Sequence, residues 1–146
     1  MNDKSVGLIE LSSIAAGFSV ADSALKAGNV KLMLSRSICS GKYMILIAGD
    51  TASVEAAIAT GSETAAGCLI DHIVIPNLHP DVLTAIGRTT PAEPTGALGI
   101  FESFNVATLI RAADAAAKSA DVTLLEVRLA MALGGKAFCT LTGDIG

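Results

Sequence analysis

The chain has 146 residues, with 10 basic and 14 acidic side chains, a net charge of -4, and 51% hydrophobic against 16% charged residues. There is no basic run and no tryptophan, and aromatics make up 3%, so the charge and stacking footprint of a nucleic-acid binder is missing. No apolar run approaches the roughly 18 to 20 residues that span a bilayer, and Cys39, Cys68 and Cys139 include no C-x-x-C pair, which argues against membrane insertion, a disulfide framework and an intrachain zinc site.

Residues 6–11 read as a short buried strand that follows a start without the basic and apolar regions of a secretory signal, so a cytosolic chain is expected. Ser12-Ser13 offers an N-cap, and Ile14, Phe18, Ala21 and Leu25 are spaced to share one face of the helix that follows. Gly28-Asn29 is expected to give a left-handed stop, and 30–37 a second strand. Ile38-Cys39-Ser40-Gly41-Lys42 then forms a loop that presents a thiol. The apolar run 43–48 is too short for a helix and reads as a central strand, after which Asp50 or Thr51 caps a second helix. Val54, Ile58, Gly61 and Ala65 form the inner face of that helix, and Gly67 closes it. Residues 69–75 make a fourth strand, and 79–83 a short helical turn. The order is βαββαβ. Residues 88–95, with two prolines among polar residues, have the chemistry of a linker.

The pattern then restarts. Gly7, Glu10, Asp22, Lys26 and Val30 return as Gly99, Glu102, Asp114, Lys118 and Val122, each displaced by 92 positions. The helix face returns as Val106, Ile110, Ala113 and Ala117, while Lys42, Gly49 and Asp50 return as Lys136, Gly143 and Asp144, displaced by 94. The spacing predicts a domain over 1–92 and a second, incomplete one over 93–146, since two full copies of the unit would need about 184 residues. An open apolar edge at 98–102, and a helix face at Val106, Ile110 and Ala113 short of cover, are expected consequences.

A duplicated unit with Val6-Gly7-Leu8-Ile9-Glu10, Leu25-Lys26-Ala27-Gly28-Asn29-Val30, Ser37-Ile38-Cys39-Ser40-Gly41-Lys42 and Gly49-Asp50 resembles the bacterial microcompartment shell domain, an α+β, ferredoxin-like βαββαβ fold. Two copies in one chain are similar to the tandem, trimer-forming shell proteins, and the cysteine loop is particularly similar to the propanediol-utilisation T-type. The resemblance implies a non-enzymatic homotrimer of pseudo-hexagonal outline that tiles a cytoplasmic microcompartment shell with other shell proteins. It implies a pore lined by Ile38, Cys39, Ser40, Gly41, Leu133, Gly134 and Gly135, and tile-edge contacts at Lys26 and Lys118. Three Cys39 thiolates on the axis would hold one [4Fe-4S] cluster, its fourth iron taking a non-protein ligand, for electron transfer across the shell with a redox enzyme as partner.

The residues alone carry plainer readings. Cys39 is an ordinary loop thiol, and Cys68 and Cys139 are small buried hydrophobes. His72 and His79 have no matching base or metal partner in sequence, and Gly134-Gly135-Lys136 lacks the spacing of a phosphate loop. No catalytic constellation stands out, and neither nucleic acid nor membrane is expected as a partner. An oligomeric, ferredoxin-like regulatory module that binds a metabolite is the alternative function.

Overall fold

The computed structural model describes residues 4–87 and 96–145. Packing divides the chain into two units, between Leu78 and His79. The boundary expected between 92 and 93, and the linker 88–95, lie outside the described residues.

The first unit contains β1 (Ser5–Leu11), α1 (Ile14–Ala27), β2 (Lys31–Ile38), β3 (Lys42–Gly49), α2 (Thr51–Ala65) and β4 (Leu69–Ile75). Its antiparallel sheet has the order β2-β3-β1-β4, which puts β1 in the interior, bonded to β3 on one side and β4 on the other. Every residue of β1 is buried. Ile9 and Leu11 join Tyr43, Ile45 and Ile47 in a core closed by Val20, Ala21 and Ala24 of α1 and Val54, Ala57 and Ile58 of α2. Each buried aliphatic side chain contributes roughly 1.5 to 3 kcal/mol relative to exposure.

The caps follow local chemistry. Ser13 accepts the Ala16 N–H at 3.2 Å, and Asp50 accepts that of Ser53 at 2.9 Å, each satisfying an amide that the helix leaves without an internal partner. The inner face of α2 is the expected one, with Val54, Ile58, Gly61 and Ala65 buried. That of α1 is not. Gly17, Val20, Ala21 and Ala24 are buried, whereas Ile14 (43%), Phe18 (66%) and Leu25 (37%) are exposed. Small residues win because α1 lies close on the sheet; a Cβ added at Gly17 would collide with the Tyr43 ring. Two stop signals also act differently. Gly28 is extended rather than left-handed and is small because the Ser53 carbonyl lies against it, while α2 ends at Ala66, at φ 45°, ahead of Gly67.

The second unit contains α3 (Pro80–Gly87), β5 (Ala97–Ser103), α4 (Val106–Ser119), β6 (Val122–Arg128) and β7 (Ala137–Gly143). Its sheet has the order β5-β7-β6 and repeats the first in detail. Gly99 pairs with Leu141 as Gly7 pairs with Ile47, and Asn105 caps α4 as Ser13 caps α1. A bulge breaks the ladder between Leu32 and Leu34 in β2 and between Leu124 and Glu126 in β6.

Among the described residues β5 pairs only with β7, and its Leu98 and Ile100 are each 64% exposed, as the edge expectation had it. The expected shortage of cover over α4 is corrected. Val106, Ile110 and Ala113 are fully buried, and α3 packs on both α4 and β6.

Candidate functional site

In the first unit the β2–β3 connection is a tight turn, Cys39 to Gly41, in which Gly41 takes φ 76°, a left-handed conformation that costs a glycine nothing. Ile38 is buried, Cys39 half-buried, and Ser40 and Gly41 exposed, so the turn lifts the thiol beside a flexible position. In the second unit the corresponding connection is the longer 129–136. Ala130, Ala132, Gly134 and Gly135 all have positive φ, and the Lys136 N–H donates to the Leu133 carbonyl at 3.1 Å. Two alanines held in the left-handed region cost roughly 1 kcal/mol or more each, which the surrounding packing offsets.

Behind each loop stands an ion pair that sequence reading missed as a pair, although both members appear in both repeats. Lys42 reaches Glu10 at 2.7 Å, and the Glu10 side chain is fully buried. In the second unit Lys136 reaches Glu102 at 2.5 Å, with both side chains exposed and the ammonium also over the Phe104 ring. Lys26 and Lys118 end α1 and α4, where a cation complements the helix dipole, and each is held at 2.6 Å by the aspartate four residues earlier. Asp22 is exposed. Asp114 is nearly buried, because its other oxygen accepts the His79 N–H at 2.8 Å at the start of α3. Nothing in the sequence pointed to that contact except the return of Asp22 as Asp114.

The three thiols differ chemically. Cys139 is fully buried in β7 and its pKa is pushed up to about 11 by desolvation, so it stays a neutral thiol; Cys68 is half-buried rather than buried. His72 is exposed, and His79 approaches Asp81 at 3.8 Å. Among the described residues no three histidine, cysteine or acidic side chains come together to hold a metal, and no helix is long and apolar enough to cross a membrane. One chain thus offers a [4Fe-4S] cluster a single accessible cysteine at the turn, Cys39. The donor chemistry fits, but only with thiols from further copies.

The comparisons agree with this architecture. The BMC domain model matches residues 5–78 and 97–146. The microcompartment shell protein PduT of Citrobacter freundii is 42% identical over 97% of this chain and 77% of its own length. The carboxysome assembly protein CcmO of Synechocystis is 29% identical over 95% of this chain and 50% of its own. A solved microcompartment protein from Desulfitobacterium hafniense DCB matches with a TM-score of 0.87 and 49% identity, over 97% of this chain and 78% of that one. With both repeats matched by the domain model and PduT similar across nearly the whole chain, this protein belongs to the bacterial microcompartment shell proteins, as a PduT-like member with tandem BMC domains.

Proposed function

We propose that three copies of this chain close into a pseudo-hexagonal tile of a microcompartment shell. The observation that carries this reading is the close internal repetition: the same register, helix caps, strand bulge and loop-base ion pair occur in both units, so three chains supply six near-equivalent units. In the tile, Ile38, Cys39, Ser40, Gly41, Leu133, Gly134 and Gly135 line the pore. Lys26 and Lys118 meet neighbouring tiles, their stems packing while their ammonium groups reach backbone carbonyls. Other shell proteins are the partners along those edges, and the shell in the cytoplasm is the place of work.

Within this reading the three Cys39 thiolates hold one [4Fe-4S] cluster. When bound, the cluster supplies a one-electron couple, suited to passing electrons across the shell to a redox enzyme. The chain's own part is to present the thiol on a turn whose exposed Ser40 and Gly41 leave room for the approach of other copies.

Light scattering of the full chain tests the assembly, with a trimer expected at micromolar concentration and a clean monomer contradicting the tile. Anaerobic purification tests the cluster. Brown protein with absorbance near roughly 400 nm, lost in Cys39→Ser and kept in Cys68→Ser, is the expected outcome. Unchanged iron in Cys39→Ser removes the axial site. Colourless protein stabilised by a metabolite would instead support a regulatory module.

A further inference from the structure

The lysines that end α1 and α4 are held by their own chain to very different degrees. Each ammonium lies 2.6 Å from the aspartate one helical turn earlier, Lys26 on Asp22 and Lys118 on Asp114. In the first unit both partners stand in solvent, the Lys26 side chain 73% exposed and that of Asp22 61%. In the second unit they are drawn in, to 40% for Lys118 and 9% for Asp114. The cause is α3, which packs on α4. Asp114 Oδ1 accepts the His79 N–H at 2.8 Å where that helix starts, while Oδ2 holds Lys118.

A lysine that reaches across to a neighbouring tile has to release its aspartate. Released by Lys26, Asp22 is taken over by water, and an exposed ion pair is worth so little that the ammonium is nearly free to leave. Released by Lys118, the Asp114 carboxylate keeps its charge in a place largely closed to water with the His79 N–H to hold it, and stranding a buried carboxylate is strongly unfavourable. The helix dipole acts alike at both helix ends and does not change the order.

We infer that the tile has two unequal kinds of edge, a strong one at Lys26 and a weak one at Lys118. The partner is a neighbouring tile of the same chain, whose backbone carbonyls receive the ammonium that is freer to leave home. Lys118 donates outward only against the pull of Asp114, so its main work stays inside the chain, at the seat of α3. In a closed ring of three chains the two kinds of edge alternate, and sheets grow first through the Lys26 edges.

This inference rests on the trimeric tile with lysines at its edges, and the experiment separates the two. Lys26→Met and Lys118→Met in the full chain keep the stem and remove the charge. The critical concentration for sheets is read by sedimentation and electron microscopy, on protein whose trimer mass and far-UV circular dichroism match the parent. Lys26→Met should raise it about tenfold or more, and Lys118→Met about threefold or less. Asp114→Asn added to Lys26→Met keeps an oxygen for the His79 N–H but no charge to hold Lys118, so it should recover sheets, a gain that a merely structural role for Asp114 would not produce. Where Lys118→Met fails to fold, that second variant decides. Equal rises for the two lysine variants, or no recovery with Asp114→Asn, overturn the inequality and leave the tile standing. Sheets unchanged in both lysine variants overturn the edge lysines and this inference with them, and a parent that is monomeric or forms no sheets overturns the tile as well.

Discussion

Strand β1 and strand β5 occupy the same place in their repeats, start helices with equivalent caps and pair with β3 and β7 in the same register, yet β1 is wholly buried and β5 alternates with Leu98 and Ile100 open. Local chemistry is the same in both; what differs is the neighbour. β1 has β4 on its far side, whereas β5, among the described residues, has no strand there. Helices α1 and α4 show the converse, with the second repeat the better covered. Burial is therefore set by which element arrives from outside the shared βαββ core, and equivalent residues in the two repeats should respond differently to the same substitution.

The largest difference is expected at Ile110 and Phe18. Ile110→Ala, at a fully buried position, should cost about 3 kcal/mol, read as lost hydrogen-exchange protection in α4. Phe18→Ala should cost about 1 kcal/mol or less, mainly its ring contact with Tyr43. Equal costs would break the comparison. Next come the loop-base ion pairs. Lys42→Met takes an ammonium away from a fully buried carboxylate and should destabilise by about 3 kcal/mol in urea unfolding, whereas Lys136→Met, at an exposed pair, should stay within about 1 kcal/mol.

The thiols sharpen the contrast without mutation. At pH 8 a pKa of about 11 leaves Cys139 only about one part in a thousand thiolate, so it should escape alkylation while Cys39 reacts. Cys139 labelled as fast as Cys39 in folded protein would contradict its burial. Where the repeats agree, so should the effects: Ser13→Ala and Asn105→Ala should each cost about 1 kcal/mol, checked by thermal melts. The smallest effect is at acid pH. Hydrogen bonds from Ser53 hold the Asp50 carboxyl below its ordinary value of 3.8, so its contribution is present above the unfolded-state pKa and lost as pH falls through the lower folded value. Asp50→Asn should flatten that part of the acid melt; an unchanged slope would remove Asp50 from the account.

How much of this was legible follows the range of each determinant. Caps at Ser13 and Asp50 were readable because a hydroxyl or carboxylate needs only an amide three residues on. The strand edge at β5 was readable from the repeat, because no counterpart of β4 falls within the described residues that follow β7. The face of α1 was misread because its bare stripe carries the large side chains Ile14, Phe18 and Leu25 and its buried one the small residues Gly17, Ala21 and Ala24, and only the closeness of the sheet decides between them. The loop thiol could be located from Gly41 and the flanking strands, but the Glu10–Lys42 pair needs the tertiary fold, which the order of residues does not print. The seat of α3 at Asp114 was invisible for the same reason: a short turn of helix after β4 does not say which repeat it will join.

The paired bulges carry one more lesson. Side chains on a strand alternate with a period of two, so Met33 and Leu125, the extra residues at matching places in β2 and β6, each shift the phase of everything that follows. Because Leu34 still pairs with Leu46 and Ile38 with Lys42 beyond the bulge, as Glu126 does with Thr140, deleting either extra residue would leave the later pairing and faces as they are and would remove only the local kink and added twist. A one-residue deletion elsewhere in β2 or β6, which no bulge absorbs, would instead turn the residues beyond it to the other face, so changes of count should be tolerated at those two sites sooner than at their neighbours in the same strands.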